Sequence, residues 1–108
     1  MIIHDNIWCY GRVLTIVLAE GKAMCRVRLV EDGEAWLEGL ITHESIRDQH
    51  YGTQLLNAAC QEAKKLGCNS LWLLVDAPDW VQKWYERNGF VVHHYEFEGL
   101  AVMVKKIQ

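Results

Sequence analysis

Residues 52–75 constrain the fold more than any other stretch of this chain. Across residues 52–66 the apolar positions Leu55, Leu56, Ala59, Ala63 and Leu66 recur at three- and four-residue spacing, while Gln54, Gln61, Glu62, Lys64 and Lys65 take the other side. That periodicity describes an amphipathic helix with one face to bury. Thr53 lies in its first turn, and Gly67 stands just past its last, where a left-handed residue commonly ends a helix. Residues 71–75 then run apolar without a break, the pattern of a strand covered on both faces at the centre of a sheet.

The flanking segments supply the rest of a sheet. Residues 13–19 and 23–30 are rich in β-branched and alternating positions, joined by a turn at Glu20, Gly21 and Lys22. Met24, Arg26, Arg28 and Val30 alternate with Cys25, Val27 and Leu29, so one face of that strand is partly polar. A turn at residues 31–34 leads into a third strand over residues 35–42. Residues 2–10 form an edge strand at most, because His4, Asp5 and Asn6 interrupt the pattern. Residues 77–88 read as a second helix with Pro78 in its first turn and Gly89 beyond its end. Residues 90–95 and 100–107 close the chain as a hairpin through Glu98 and Gly99. The order is meander, helix, strand, helix, hairpin, in one α+β domain over residues 1–108.

Bulk properties narrow the function. The 108 residues suffice for one domain and not two, and 51% of them are apolar. The formal charge of −3 and the absence of any basic run argue against a nucleic-acid or polybasic membrane surface. Cys9, Cys25, Cys60 and Cys68 are irregularly spaced, with no CxxC, so neither a redox motif nor a zinc knuckle is present. Structural thiols, with Cys60 buried on the helix, fit a reducing setting. With neither a signal peptide nor an apolar run near 18 residues, the expected location is the cytoplasm. His93 and His94 lack the further ligands a metal site needs and read as strand histidines.

The chemistry is carried by residues 41–56. A strand ends, a short turn follows, and the helix opens at or near Tyr51 and Gly52. Helix N-termini present unpaired N–H groups and partial positive charge, which suits anionic phosphates. Gly52 permits close backbone approach, and Arg47 can face an anion. An ordinary strand-to-helix turn with a solvated arginine explains the same residues equally well.

The run Arg47-Asp48-Gln49-His50-Tyr51-Gly52, followed by Thr53-Gln54-Leu55-Leu56, resembles motif A of the GNAT N-acetyltransferase superfamily, a Q/R-x-x-G-x-G/A loop that opens a helix. Downstream, Trp84-Tyr85-Glu86-Arg87-Asn88-Gly89-Phe90 resembles the end of the family's motif B. Helix, Gly67-Cys68, buried strand and Asp76 separate the two at the family's spacing, and the resemblance runs from about residue 23 to the C-terminus. One departure stands out: His50 replaces the loop's first glycine. A right-handed backbone there would accept histidine, whereas a glycine-only conformation would weaken the pyrophosphate contact.

The resemblance implies a mixed, mostly antiparallel sheet with a central splayed parallel strand pair and two main helices. It implies an acyltransferase that moves an acetyl group from acetyl-CoA to a primary amine by direct attack. Leu40, Ile41 and Thr42 would pair with the pantetheine arm. Backbone amides of Asp48, Gln49, His50, Tyr51, Gly52 and Thr53, with the Arg47 side chain, would hold the pyrophosphate. Tyr85 would protonate the departing thiolate, a role open to a phenol; a core aromatic is the plainer explanation of its helical face. Glu38 is the candidate base, mid-strand and taken to share the face of Leu40, with His43 and Glu44 as substitutes. Asp76 and Asp79 fit helix-capping roles.

Trp72, Trp80 and Trp84 are candidates for the cleft and Trp8 and Trp36 for an exposed sheet face, with core or interface packing the default for all five. Family members usually carry two helices between their first strands, yet Gly11-Arg12 runs almost directly into the strand at Val13. The resemblance therefore implies a short member whose acceptor site is either open, suiting a protein or peptide amine, or covered by a second copy in a homodimer. Two other functions stay open: an acyl-CoA-binding sensor without turnover, and an interaction module with a Trp-rich surface.

Overall fold

The computed structural model describes residues 1–8, 11–30, 33–43, 50–76 and 79–107. Seven strands form one sheet: β1 (Ile2–Trp8), β2 (Gly11–Leu18), β3 (Ala23–Leu29), β4 (Glu34–Thr42), β5 (Ser70–Val75), β6 (Val91–Tyr95) and β7 (Ala101–Lys106). Their spatial order is β1-β2-β3-β4-β5-β7-β6, antiparallel throughout except where β4 lies parallel to β5. Two helices, α1 (Tyr51–Lys65) and α2 (Asp79–Arg87), connect β4 to β5 and β5 to β6.

Strand alternation decides which side chains meet α1. Leu14 and Ile16 of β2, Cys25 and Val27 of β3, Ala35 and Leu37 of β4, and Leu71, Leu73 and Val75 of β5 are all buried in one cluster. Leu55, Leu56, Ala59 and Ala63 of α1 seal it, with Leu55 fully excluded from solvent. Burying each such leucine contributes about 2 kcal/mol. Val81, Trp84 and Tyr85 of α2 pack against the same cluster, so both helices lie on one side of the sheet. The intervening strand residues point to the other side, where Trp36 stacks on Trp72 at 5.7 Å between ring centroids. Among the described residues no helix covers that second side.

Alternation is broken once, and the break matters. Met24 pairs with Ile41 while Arg26 pairs with Glu38, so Gly39 and Leu40 of β4 oppose the single residue Cys25 of β3. Gly39 absorbs the extra residue at φ +64°, a left-handed value that favours glycine. Glu38 therefore does not share the face of Leu40, contrary to the two-residue periodicity. Leu40 packs toward the core, whereas Glu38 is exposed and accepts a 2.6 Å hydrogen bond from Arg28 Nε. Trp72 likewise joins Trp36 rather than the cleft. The sequence expectation for Trp8 concerns a side chain outside the described residues.

β1 is a full seven-residue edge strand, paired from Ile2↔Val17 to Trp8↔Gly11. Its polar residues fit because an edge is solvated: Arg12 Nε donates to Asp5 Oδ1 at 2.8 Å, and a second guanidinium nitrogen contacts Oδ2. That hydrogen bond from Arg12 holds the Asp5 carboxyl below its ordinary range. Only Cys9 and Tyr10 separate β1 from β2, so no helices intervene there.

β4 and β5 are hydrogen-bonded neighbours only at Glu34↔Ser70, Ala35↔Leu71 and Trp36↔Trp72. Beyond that point β5 stays with β7 as far as Val75↔Ala101, while β4 carries its bulge and stays with β3 to Thr42↔Ala23. The two strands thus part from a closed end at Trp36 and Trp72 toward their C-termini. The start of α1 lies beyond the C-terminal end of β4, and α2 follows the C-terminal end of β5.

Candidate active site

The parted strands open into a cleft of about 790 Å³. One wall is Leu40, Ile41 and Thr42 of β4; a second is His50, Gly52 and Thr53 at the start of α1; the third is Trp80, Val81, Trp84 and Tyr85 on one face of α2. Three segments far apart in sequence meet here.

The start of α1 presents donors. Gln54 N–H bonds the His50 carbonyl at 3.1 Å, and the amides ahead of it in the first turn have no i−4 acceptor within the helix. His50 provides no side-chain cap, and the first turn holds no acidic residue. Its backbone is left-handed, φ 61° and ψ 20°. Histidine thus occupies the conformation in which glycine is least strained. The second helix packs close to Gly52, where a Cβ would stand 3.4 Å from the Trp84 ring, in ordinary van der Waals contact.

Tyr85 is positioned by the way α2 ends. Phe90 N–H bonds the Tyr85 carbonyl and Gly89 N–H bonds the Glu86 carbonyl, both at 3.1 Å, with Gly89 at φ +93°. This is the paired 6→1 and 5→2 pattern of a Schellman motif. Its accompanying apolar contact is the edge-on packing of Phe90 against Tyr85, 5.7 Å between centroids, and Trp84 packs edge-on from the other side at 5.0 Å. The Tyr-x-x-x-Gly-Phe run is therefore a helix stop that fixes the tyrosine ring. Burial, reinforced by the neighbouring Cys25, raises the Tyr85 phenol above its ordinary range. Cys25 itself is fully buried on β3, and desolvation pushes its thiol up to about 12.

Of the residues named from sequence, Leu40, Ile41, Thr42, His50, Gly52, Thr53 and Tyr85 converge on the cleft. Tyr51 is half-buried and packs toward the core instead. Glu38 does not line the cleft; it lies on the sheet's other side with Arg28. His43 is exposed at the strand end, its N–H bonded to the Lys22 carbonyl at 2.7 Å. Arg47, Asp48, Gln49 and Glu44 lie outside the described residues. Cys25 beside Tyr85 was not legible beforehand, because no local pattern pairs a β3 residue with a distant helix. Cys60 is only half-buried, since its helical position falls at the edge of the apolar stripe.

A largely antiparallel sheet whose single parallel pair splays beside two helix termini, with a phenol held in the wedge, defines an acyltransferase of the acyl-CoA-binding kind. The family model for the acetyltransferase (GNAT) family matches residues 7–90, and the chain belongs to that family. The match begins well before residue 23 and takes in all of β2, with only the last two residues of β1. No curated protein sequence matches the chain. Among solved structures it is similar to an aminoglycoside 6′-acetyltransferase of type Ii, with TM-score 0.75, 19% identity, and coverage of 93% of this chain and 71% of that one. It is similar to an acetyltransferase of the GNAT family from Staphylococcus aureus, with TM-score 0.74, 13% identity, and coverage of 91% and 68%. The PaiA N-acetyltransferase of Thermoplasma acidophilum, solved in complex with coenzyme A, gives TM-score 0.73, 22% identity, and coverage of 87% and 59%. At these identities the likeness concerns the fold.

Proposed function

We propose that this protein transfers an acetyl group from acetyl-CoA to a primary amine, with Tyr85 as the general acid. The observation that carries the reading is the convergence of Tyr85 with Leu40, Ile41, Thr42 and the start of α1 on one cleft. The pantetheine arm runs along β4 where that strand has parted from β5. The pyrophosphate sits on the amides of residues 48–53 with the Arg47 side chain.

The amine nitrogen attacks the thioester carbonyl and a C–N bond forms. The tetrahedral adduct collapses, the C–S bond breaks, and the Tyr85 O–H proton passes to the leaving sulfur. The amine's surplus proton leaves on the acceptor side and the phenol is reprotonated from solvent. Tyr85 suits this role because burial keeps it protonated well above neutral pH. Glu38 serves as base in this reading. Its side-chain exposure of 47%, on the side of the sheet away from Tyr85, suits proton transfer from the amine through water. Among the described residues no helix covers that side, which leaves the approach open and favours a protein or peptide amine as acceptor.

The test is release of free CoA thiol from acetyl-CoA with a panel of amines and lysine-containing peptides. Tyr85→Phe is expected to lower turnover by about 10²-fold, the general-acid contribution, with acetyl-CoA affinity unchanged by calorimetry. Retained turnover in Tyr85→Phe would remove the phenol from the mechanism. Tight acetyl-CoA binding without turnover on any amine would make the chain a sensor instead.

A further inference from the structure

Trp80 lies in the first turn of α2 with 68% of its surface exposed, and that exposed indole faces the cleft. The remaining aromatic members of the wall behave differently: Trp84 and Tyr85 are half-buried against the core. Across the cleft stand His50 and the 59%-exposed Ile41. The cleft therefore has a buried end marked by Tyr85 and an open lip where a bare indole faces the start of α1. Five residues of helix separate the two, about 7.5 Å of axial rise.

We infer that Trp80 is the stacking platform for the adenine ring of the bound acyl-CoA. The inference rests on the acyl-CoA reading above and extends it to the nucleotide end. With the thioester sulfur at Tyr85 and the diphosphate at α1, the pantetheine arm spans the interior of the cleft along β4. That arm is a flexible chain with no flat face. Adenine is the one planar ring the molecule carries, and it follows the diphosphate outward to the lip. An indole offers it a broad apolar face, and base–aromatic stacking is substantial. The acceptor amine, by contrast, approaches from the opposite side of the sheet, away from this lip.

The experiment compares two donors that differ only in the nucleotide: acetyl-CoA, by calorimetry, and S-acetylpantetheine at millimolar concentration, by ligand-observed NMR. Each is measured with the wild-type chain, Trp80→Ala and Trp80→Phe, after matched thermal melts. Trp80→Ala is expected to weaken acetyl-CoA roughly ten-fold, Trp80→Phe to retain most of the affinity, and S-acetylpantetheine to bind all three alike. Equal weakening of both donors, or acetyl-CoA affinity unchanged in Trp80→Ala, overturns the assignment of the indole to adenine. A wild-type chain with no affinity for acetyl-CoA overturns the acyl-CoA reading itself, and this inference with it.

Discussion

His50 holds a left-handed backbone at φ 61° without a capping hydrogen bond to show for it. A non-glycine residue in that region is strained by about 1 kcal/mol. His50→Gly should therefore raise the unfolding free energy by somewhat less than this, since glycine also gains entropy in the unfolded chain. Urea denaturation reads the change, and a lowered midpoint would show that the imidazole makes a stabilising contact. The same residue shows how a sequence motif can depart in identity and conform in geometry. The substitution was visible in the chain, but whether the backbone would be right-handed or left-handed was not, because φ is set by the path between the β4 end and α1. Tyr85 offers the converse case. Its helical face was legible, while the buried Cys25 beside it was not.

At the scale of elements, both helices end in the same device. α1 stops with Cys68 N–H on the Ala63 carbonyl and Gly67 N–H on that of Lys64, each 3.0 Å, as α2 stops around Gly89. The two glycines differ in consequence. A Cβ at Gly67 would meet nothing within 4 Å, whereas one at Gly89 would stand 3.1 Å from Lys105 Cε, whose Nζ donates to the Asn88 carbonyl. Alanine at either position meets a positive φ, costing about 1 kcal/mol. Gly89→Ala is expected to destabilise by about 1–2 kcal/mol once the lysine must shift. It should also lower turnover, because the cap fixes the Tyr85 ring. Gly67→Ala, compared at matched stability in urea, should leave turnover near wild type; equal loss in both would detach the cap from the chemistry. Most elements were readable because periodicity, turns and stops are local. β1 was underestimated because Arg12 compensates Asp5 from the next strand. Glu38 was assigned the wrong face because Gly39 inserts a bulge, for which a glycine inside a strand is the available clue.

For the molecule as a whole, buried thiols set the alkaline limit of stability. Burial raises Cys25 from 9.0 to about 12, and raises Cys60, Cys68 and Tyr85 in the same direction. Between those values the unfolded chain sheds protons that the folded chain keeps. The unfolded state then binds fewer protons, so stability falls as pH rises. This contribution is complete below about pH 8 and is lost progressively from about pH 9 toward 12. Urea midpoints should be flat across neutral pH and decline above about pH 9, and Cys25→Ala should flatten the decline. A midpoint unmoved at about pH 10.5 would mean that the thiols are not desolvated.

The sequence by itself determined the helices, their stops, the buried strand and the two motif segments that mark the family. Each depends on residues within a few positions of one another, which periodicity and turn chemistry expose. Tertiary structure alone decided that β4 parts from β5 after Trp36 and Trp72, that Glu38 and Tyr85 fall on opposite sides of the sheet, and that Trp80 stands bare at the lip of the cleft. Those outcomes follow from cross-strand register and from helices docking on a shared core, interactions between residues remote in the chain that no local pattern encodes.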